Sequence, residues 1–286
     1  MGSLRTLALA GAAVIVTLPA ARAADLPPII QRAPPAVVEE FAGGWYLRGD
    51  IGFSSEQVET LFNAQVNNNV AGIRLRNVDR GFDAAPIFGV GVGYQFNQWL
   101  RADVTAEYRG AANFHGLDIT TFQTAGGPTT APDSYSASKS AWVFLANAYA
   151  DLGTWWCVTP FVGAGVGVAY NTISHFRDLG VGSSGAVGGI VSTGFANSAT
   201  TTNLAWALHA GLAYKATPGM TVELAYRYLN LGSAQTADLV SFDGTQNLGP
   251  MHFNDLTSHD VKLGVRWTLQ PEQSRPAYYP PVVSKG

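Results

Sequence analysis

Hydrophobic and polar residues alternate with a period of two in eight segments of the chain. In the last segment, the odd positions from Val261 to Leu269 are apolar or aromatic, and the even positions are charged, glycine or threonine. A period of two predicts a β-strand, because successive side chains of a strand point to opposite faces. The predicted strands are Trp45–Phe53, Ile87–Phe96, Trp99–Tyr108, Ala141–Leu152, Phe161–Tyr170, Asn203–Lys215, Met220–Leu229 and His259–Leu269.

All charged residues of these strands lie on one face, while the opposite face is apolar. A membrane barrel turns its apolar face to lipid and its polar face to the lumen, and Lys or Arg at mid-bilayer costs roughly 2–4 kcal/mol. A slip of one residue in strand register would therefore be strongly penalised. We predict a lumen charge network of six acids and six bases, which are Arg48, Asp50, Arg101, Asp103, Glu107, Asp151, Lys215, Glu223, Arg227, Asp260, Lys262 and Arg266.

The strand pattern predicts an all-β fold, namely an eight-stranded antiparallel transmembrane β-barrel with up-and-down meander topology. Strands of about ten residues cross a bilayer at a tilt. The connections alternate between short ones at 97–98, 153–160 and 217–219 and long ones at 54–84, 110–138, 171–201 and 230–257. Short periplasmic turns and long outer loops are typical of outer-membrane barrels. We therefore expect a location in the cell outer membrane, with both termini periplasmic and the long loops extracellular.

The two ends of the chain differ from the predicted barrel. Arg5, an apolar segment from Leu7 to Leu18 and the small residues around Ala23 are typical of a secretory signal peptide. Prolines soon after the cleavage site favour an extended linker. The predicted domains are a signal peptide (1–23), a periplasmic proline-rich linker (24–43), the barrel (44–269) and a periplasmic tail (270–286).

Composition and spacing argue against several functions. The formal net charge of −3, with 13% charged residues, does not indicate a surface that binds nucleic acid. A single cysteine, Cys157, excludes an intrachain disulfide. The five histidines form no catalytic arrangement and show no metal-ligand spacing. We therefore expect neither an enzyme nor a cofactor.

Several short sequence motifs resemble those of a known family. They are Ala146–Gly153, Pro160–Gly167 and Glu223–Tyr228, and in this order they are similar to the small outer-membrane β-barrel family of alphaproteobacteria, the opacity-type, porin-like surface antigens. The resemblance covers about residues 44–269. It implies an eight-stranded barrel that maintains the envelope and exposes variable loops.

Both ends of the mature chain carry further resemblances. Lys262, Gly264, Trp267 and Leu269 fit the signal by which barrel-assembly machinery recognises outer-membrane barrels, although this chain continues beyond it. The mature start, Ala24-Asp25, is similar to the N-termini through which some such barrels are joined to peptidoglycan. The expected partners are outer-membrane lipid, lipopolysaccharide and the assembly machinery. Peptidoglycan is a further candidate partner.

Three functions remain open at this stage. The leading hypothesis is a structural surface barrel that maintains envelope integrity, because side chains just fill the lumen of eight strands and paired charges would plug it. The first alternative is a porin-like passive channel for small solutes. The second is binding of hemin or another ligand by the outer loops, with His115, His175 and His252 as candidate ligands.

Overall fold

The computed structural model describes residues 43–63, 74–124, 126–182 and 190–269. The predicted signal peptide, the linker up to residue 42 with Ala24 and Asp25, and the predicted tail lie outside the described residues. No helix in the described ranges is long and apolar enough to cross a membrane. The strands are β1 (Gly44–Phe62), β2 (Arg74–Phe82), β3 (Ala85–Gln95), β4 (Leu100–Thr124), β5 (Gly127–Asp151), β6 (Val158–Gly182), β7 (Ile190–Ala196), β8 (Ala199–Thr217), β9 (Met220–Gln235), β10 (Leu239–Ser241) and β11 (His252–Thr268).

Eight of these strands form a closed antiparallel ring. Its order is β1, β3, β4, β5, β6, β8, β9 and β11, so each strand pairs with the next ring strand along the chain. The ring closes where β11 pairs with β1, from Tyr46 opposite Thr268 to Phe62 opposite His252. Closure satisfies the backbone hydrogen bonds of every strand, which a lipid environment requires. The predicted eight-stranded antiparallel meander is therefore confirmed.

The two ends of the barrel differ in length. The connections 96–99, 152–157 and 218–219 lie at one end, which we call the turn end, together with the start of β1 and the end of β11. At the opposite end, the extended end, β4, β5 and β6 continue to a length of 25 residues each. The short strands β2, β7 and β10 add to this end by pairing with β4, β6 and β7.

The expectation of long loops at this end is wrong over much of each segment. The segments 54–84, 110–138, 171–201 and 230–257 all contain described strand residues. Their backbones continue the ladders of the barrel, and their outward side chains are largely polar, with exposed exceptions such as Phe62, Val78 and Leu179. The barrel therefore rises well beyond the predicted strands.

The outer surface changes character along each strand. On β1 the outward residues Ile51 and Phe53 are exposed and apolar, whereas Ser55, Gln57 and Glu59, farther along the same face, are exposed and polar. An apolar outward band over about ten residues per strand is the lipid-facing surface of a membrane barrel. We define the transmembrane segments by this band. It includes Trp45, Leu47, Phe88, Val90, Val104, Trp142, Phe144, Val162, Val166, Leu204, Leu208, Leu212, Leu224, Val261, Leu263 and Trp267.

The interior changes from charged to apolar at nearly the level where the outer surface changes from apolar to polar. On β1 the inward residues Arg48, Asp50 and Glu56 are buried charges, and the inward residues Val58 and Leu61 that follow are buried and apolar. Above the transmembrane segments the barrel is thus largely polar outside and largely apolar inside, as in a water-soluble protein. We call its apolar filling the extended core, which comprises Val58, Leu61, Phe114, Tyr135, Ile173, Phe176, Leu229, Leu231, Leu239, Met251, Phe253 and Leu256.

Candidate functional site

The structure buries eleven of the twelve charges predicted for the lumen. They are Arg48, Asp50, Arg101, Asp103, Glu107, Asp151, Glu223, Arg227, Asp260, Lys262 and Arg266. The expectation for Lys215 is wrong, because this residue is exposed. It pairs with Thr221 next to a register shift and the 218–219 turn, where β8 has reached the end of the barrel.

Glu107 on β4 is the centre of the network. Its Oε2 accepts hydrogen bonds from Lys262 Nζ at 2.8 Å and from Arg227 Nη1 at 3.0 Å. Its Oε1 accepts two more, from Arg109 Nη1 at 3.3 Å and from Arg227 Nη2. Asp260 accepts hydrogen bonds from the same two arginines, at 3.0 Å from Arg109 Nη1 and 2.9 Å from Arg227 Nε. Two carboxylates and three cations therefore hold β4, β9 and β11 together across the lumen.

Three charged residues of the network were outside the predicted strands. Glu56 accepts hydrogen bonds from Arg109 Nε at 3.0 Å and from Lys139 Nζ at 2.7 Å, and all three side chains are buried. Each lies one to three residues past the predicted end of its strand. Continued alternation of the inward face is the signal that could have revealed them. With these three added and Lys215 removed, the charge network in the described residues holds seven acids and seven bases.

A second group of charges lies toward the turn end. Arg48 forms ion pairs of 2.8 Å with both Asp50 and Asp103. Glu223 lies 3.3 Å from Arg101 Nη2 and 3.3 Å from Arg266 Nε. Each charge of this group thus has an opposite partner, which is the condition for tolerating it.

Aromatic rings enclose the Arg101 guanidinium. Its carbon lies 4.2 Å from the centroid of the Tyr149 ring and 4.7 Å from that of Phe161. Its Nε donates to Asp151 at 3.2 Å. A planar guanidinium stacks on aromatic faces in this way, so the rings fill the space beside the ion pairs.

Glycines on β3 and β6 make room for these large side chains. A Cβ at Gly93 would collide with the Tyr46 ring, and one at Gly165 would collide with Asn147. Asn147 in turn donates to Asp103 at 2.8 Å. The interior is therefore filled by side chains, as expected for a barrel of eight strands.

The residues of the predicted assembly signal lie on both faces of β11. Lys262 is in the charge network, and a Cβ at Gly264 would collide with the Asp50 carboxylate. Trp267 and Leu269 are exposed on the outside at the turn end. The Leu269 amide donates to the Trp45 carbonyl at 2.9 Å, beside the seam that closes the barrel.

Two of the three candidate ligand histidines line one depression on the outer face of β4, β5 and β6. This outer groove has a volume of about 580 Å³, and its walls carry Asn113, His115, Ser136, Ser138, His175 and Arg177. His252 lies elsewhere, on β11 between Phe62 and Gln235. Nowhere in the described residues do three or more His, Cys, Asp or Glu side chains form a group that could hold a metal ion.

Three carboxylates face inward near the far end of the extended end. Asp118 on β4 is directly opposite Asp133 on β5, and Asp178 lies on the adjacent β6. Burial, together with the charges of Asp133 and Asp118, raises the pKa of Asp178 to about 7. Asp178 is therefore partly protonated near neutral pH.

Comparison with known proteins gives consistent matches along the chain. The family model described as "Outer membrane protein beta-barrel domain" matches residues 10–268. An uncharacterized protein of Brucella suis biovar 1 is 30% identical over 281 residues, covering 90% of this chain and 95% of the relative. A protein of Rickettsia prowazekii named "Putative adhesin" is 28% identical, covering 79% of this chain and 87% of the relative.

Comparison with solved structures also gives matches. Neisserial surface protein A has a TM-score of 0.45 and 14% identity, covering 80% of this chain and 100% of that chain. OprG of Pseudomonas aeruginosa has a TM-score of 0.43 and 12% identity, covering 79% and 97%.

Replacing Glu107 by Gln should destabilise the barrel strongly. The substitution keeps the shape of the side chain but leaves Arg109, Arg227 and Lys262 with one carboxylate fewer. Loss of one partner from a buried ion network costs about 3–5 kcal/mol. The free energy of unfolding in lipid vesicles, measured by urea titration, gives the size of the effect. Glu59→Gln is the matched control, since Glu59 is exposed; equal stabilities of the two variants would contradict the assigned role of Glu107.

Proposed function

The chain belongs to the outer membrane β-barrel family, and on this premise we propose that it is a closed barrel that maintains the integrity of the envelope and presents a binding surface outside the cell. One observation carries the proposal. The interior is filled by paired charges in the transmembrane segments and by the extended core above them.

The charge network and the extended core both block the path that a solute would take through the barrel. In the described part of the chain, each of the network's seven acids and seven bases forms an ion pair inside the barrel. Above them, the Phe114 ring packs 5.0 Å from that of Phe253 and also 5.0 Å from that of Phe82. A hydrated solute would have to displace the ion pairs and then enter an apolar core. This arrangement favours a structural barrel over a porin-like passive channel.

The proposed orientation puts the turn end in the periplasm and the extended end outside. Short connections at one end and long ordered strands at the other support it. The described chain also begins at Gly43 and ends at Leu269 at the turn end. Both flanking segments would then leave the barrel on the periplasmic side, where the cell wall lies. Lipopolysaccharide would surround the opposite rim, and assembly machinery would act on the β1–β11 seam.

The tether between Ala24-Asp25 and peptidoglycan belongs to the same proposal. Residues 24–42 precede the barrel, and four of them are prolines. An extended proline-rich segment rises about 3.1 Å per residue, so this length reaches up to about 60 Å. A free N-terminal amine at that distance from the membrane would allow a covalent link to the cell wall and would explain a contribution to envelope integrity.

Hemin binding is the less favoured alternative for the outer surface. A porphyrin needs apolar contact for its two faces, whereas the outer groove is lined mainly by hydroxyl, amide, imidazole and guanidinium groups. The rickettsial relative that is named as an adhesin supports a binding role of another kind at the extended end.

A closed interior predicts the absence of steady conductance in planar bilayers. The wild-type protein should give no stepwise current, while an open porin in the same bilayers should conduct. Phe114→Ala combined with Phe253→Ala should also remain silent, because the charge network still fills the lumen below the thinned core. Heat-modifiable migration verifies that each sample is folded. Large, reproducible single-channel currents from wild-type protein would overturn the closed barrel and favour the passive channel.

The tether predicts a covalent product on isolated cell walls. Mass spectrometry of purified peptidoglycan, after digestion with protease and muramidase, should recover peptides that begin Ala24-Asp25 and carry a stem peptide on the N-terminal amine. Asp25→Ala provides a control for sequence dependence. Recovery of Ala24 only as a free N-terminus would rule out the tether and would leave the closed barrel intact.

A further inference from the structure

We infer that the outer groove on β4, β5 and β6 binds an anionic saccharide. The inference rests on the proposed function, since it requires the extended end to lie outside the cell. The groove volume of about 580 Å³ falls within the range of roughly 300–1,000 Å³ that is typical of small-molecule sites. It is therefore large enough for a short saccharide.

Two strand pairings are irregular beside the groove. The register of β4 and β5 shifts between Arg109 and Ala112, and that of β5 and β6 shifts between Ser136 and Ser138. Such bulges bend a strand and redirect its side chains, and they are common beside functional sites. Both irregularities lie next to residues that line the groove.

One residue of the groove has a strained backbone. His175 has a φ of 54°, a left-handed conformation that residues other than glycine rarely adopt. Its Nδ1 lies 3.1 Å from the Ser174 hydroxyl, which fixes the orientation of the ring. Strain of this kind persists where the surroundings hold it, and it concentrates at ligand sites.

The polar side chains of the groove form two rows across the sheet. His115, Ser136 and Arg177 are successive cross-strand partners in one row. Asn113 and Ser138 are partners in the next row. The rows therefore place a guanidinium, an amide, hydroxyls and an imidazole side by side on one face. Most of these groups donate hydrogen bonds, and the guanidinium carries a permanent positive charge.

A single carboxylate at the rim holds two of these donors. Asp83 Oδ1 lies 3.4 Å from His115 Nε2, and Asp83 Oδ2 accepts a hydrogen bond from Asn113 Nδ2 at 3.2 Å. Both His115 and Asp83 are more than half exposed. An incoming anion could therefore take the place of Asp83 on His115 while Arg177 contributes a charged contact.

This set of groups matches an acidic sugar. A guanidinium pairs with carboxylate, sulfate or phosphate through two parallel hydrogen bonds, and the serine and asparagine side chains can bond to ring hydroxyls. The groove also clears the membrane. His115 lies seven residues beyond the outward Tyr108, which places it about 18 Å above the aromatic rim for strands that rise 3.3 Å per residue at a tilt near 40°.

The test is titration of the full-length mature protein in detergent micelles with three saccharides. The probes are a sulfated glycosaminoglycan hexasaccharide, the phosphorylated core oligosaccharide of lipopolysaccharide, and a neutral dextran oligosaccharide of similar length. Isothermal titration calorimetry should detect binding of at least one anionic probe. The affinity for dextran should be at least about tenfold weaker than the affinity for that probe, because a charge-assisted hydrogen bond contributes about 1.5–3 kcal/mol. Binding of the core oligosaccharide alone would identify the protein's own membrane as the source of the ligand. Binding of the glycosaminoglycan would identify an external surface.

Matched variants locate the binding. The affinity for the anionic probe should fall about tenfold or more in Arg177→Gln. It should fall by a similar factor in the double variant His115→Gln with His175→Gln. Arg76→Gln is the control, because Arg76 is an exposed arginine of the same extended end on β2, outside the groove. Equal affinities for dextran and both anionic probes, no binding of any probe, or equal losses in Arg177→Gln and Arg76→Gln would overturn the groove as the site. If the groove fails this test and the wild-type protein does not conduct, only the saccharide site is rejected. If the wild-type protein conducts, the closed barrel is rejected, whatever the groove binds.

Discussion

The pairing of charges around Glu107 is the interaction on which the transmembrane part of this protein depends. A lumen surrounded by lipid offers little water, so each buried cation needs a carboxylate within reach. Glu107 and Asp260 meet this need for three cations that come from β4, β9 and β11. The same contacts set the register of these strands, because a slip of one residue would turn the charges of a strand toward the lipid.

The extended end of the barrel uses the same strands but is stabilised by a different kind of interior. Once the outer face leaves the lipid, it can carry Ser55, Gln57 and Glu59, and the inner face no longer needs to be polar. Val58 and Phe253 then build an apolar core of the kind that stabilises soluble sheets. The change of both faces on a continuous strand joins a membrane anchor to an ordered outer structure without a flexible link. This continuity gives a rigid platform for the outer groove.

Alternation of residues predicts the transmembrane half of this fold because lipid imposes one rule on every strand. Apolar residues must face out, so the eight segments and eleven interior charges can be identified without a structure. On β1 the apolar outward row ends at Phe53, and beyond it the outward residues are polar, so the segment looks like a loop. Glu56, Arg109 and Lys139 lie just outside the predicted strands, where this outward signal is absent, and they are missed for this reason. The groove could not be predicted, because a bulge depends on how two strands pair and not on either strand alone.

The exchange of faces on β1 can be measured directly by site-directed labelling. In a Cys157→Ser background, nitroxide labels at Ile51, Phe53, Ser55 and Gln57 sample one outward row across the proposed lipid boundary. We expect the first two labels to be accessible to oxygen in the bilayer and the last two to a water-soluble nickel reagent. A cysteine at inward-facing Val58 should react with neither lipid-soluble nor water-soluble thiol reagents, because the extended core encloses it. Rapid reaction of that cysteine with a water-soluble reagent, in a protein whose outward labels follow the expected order, would contradict the closed interior.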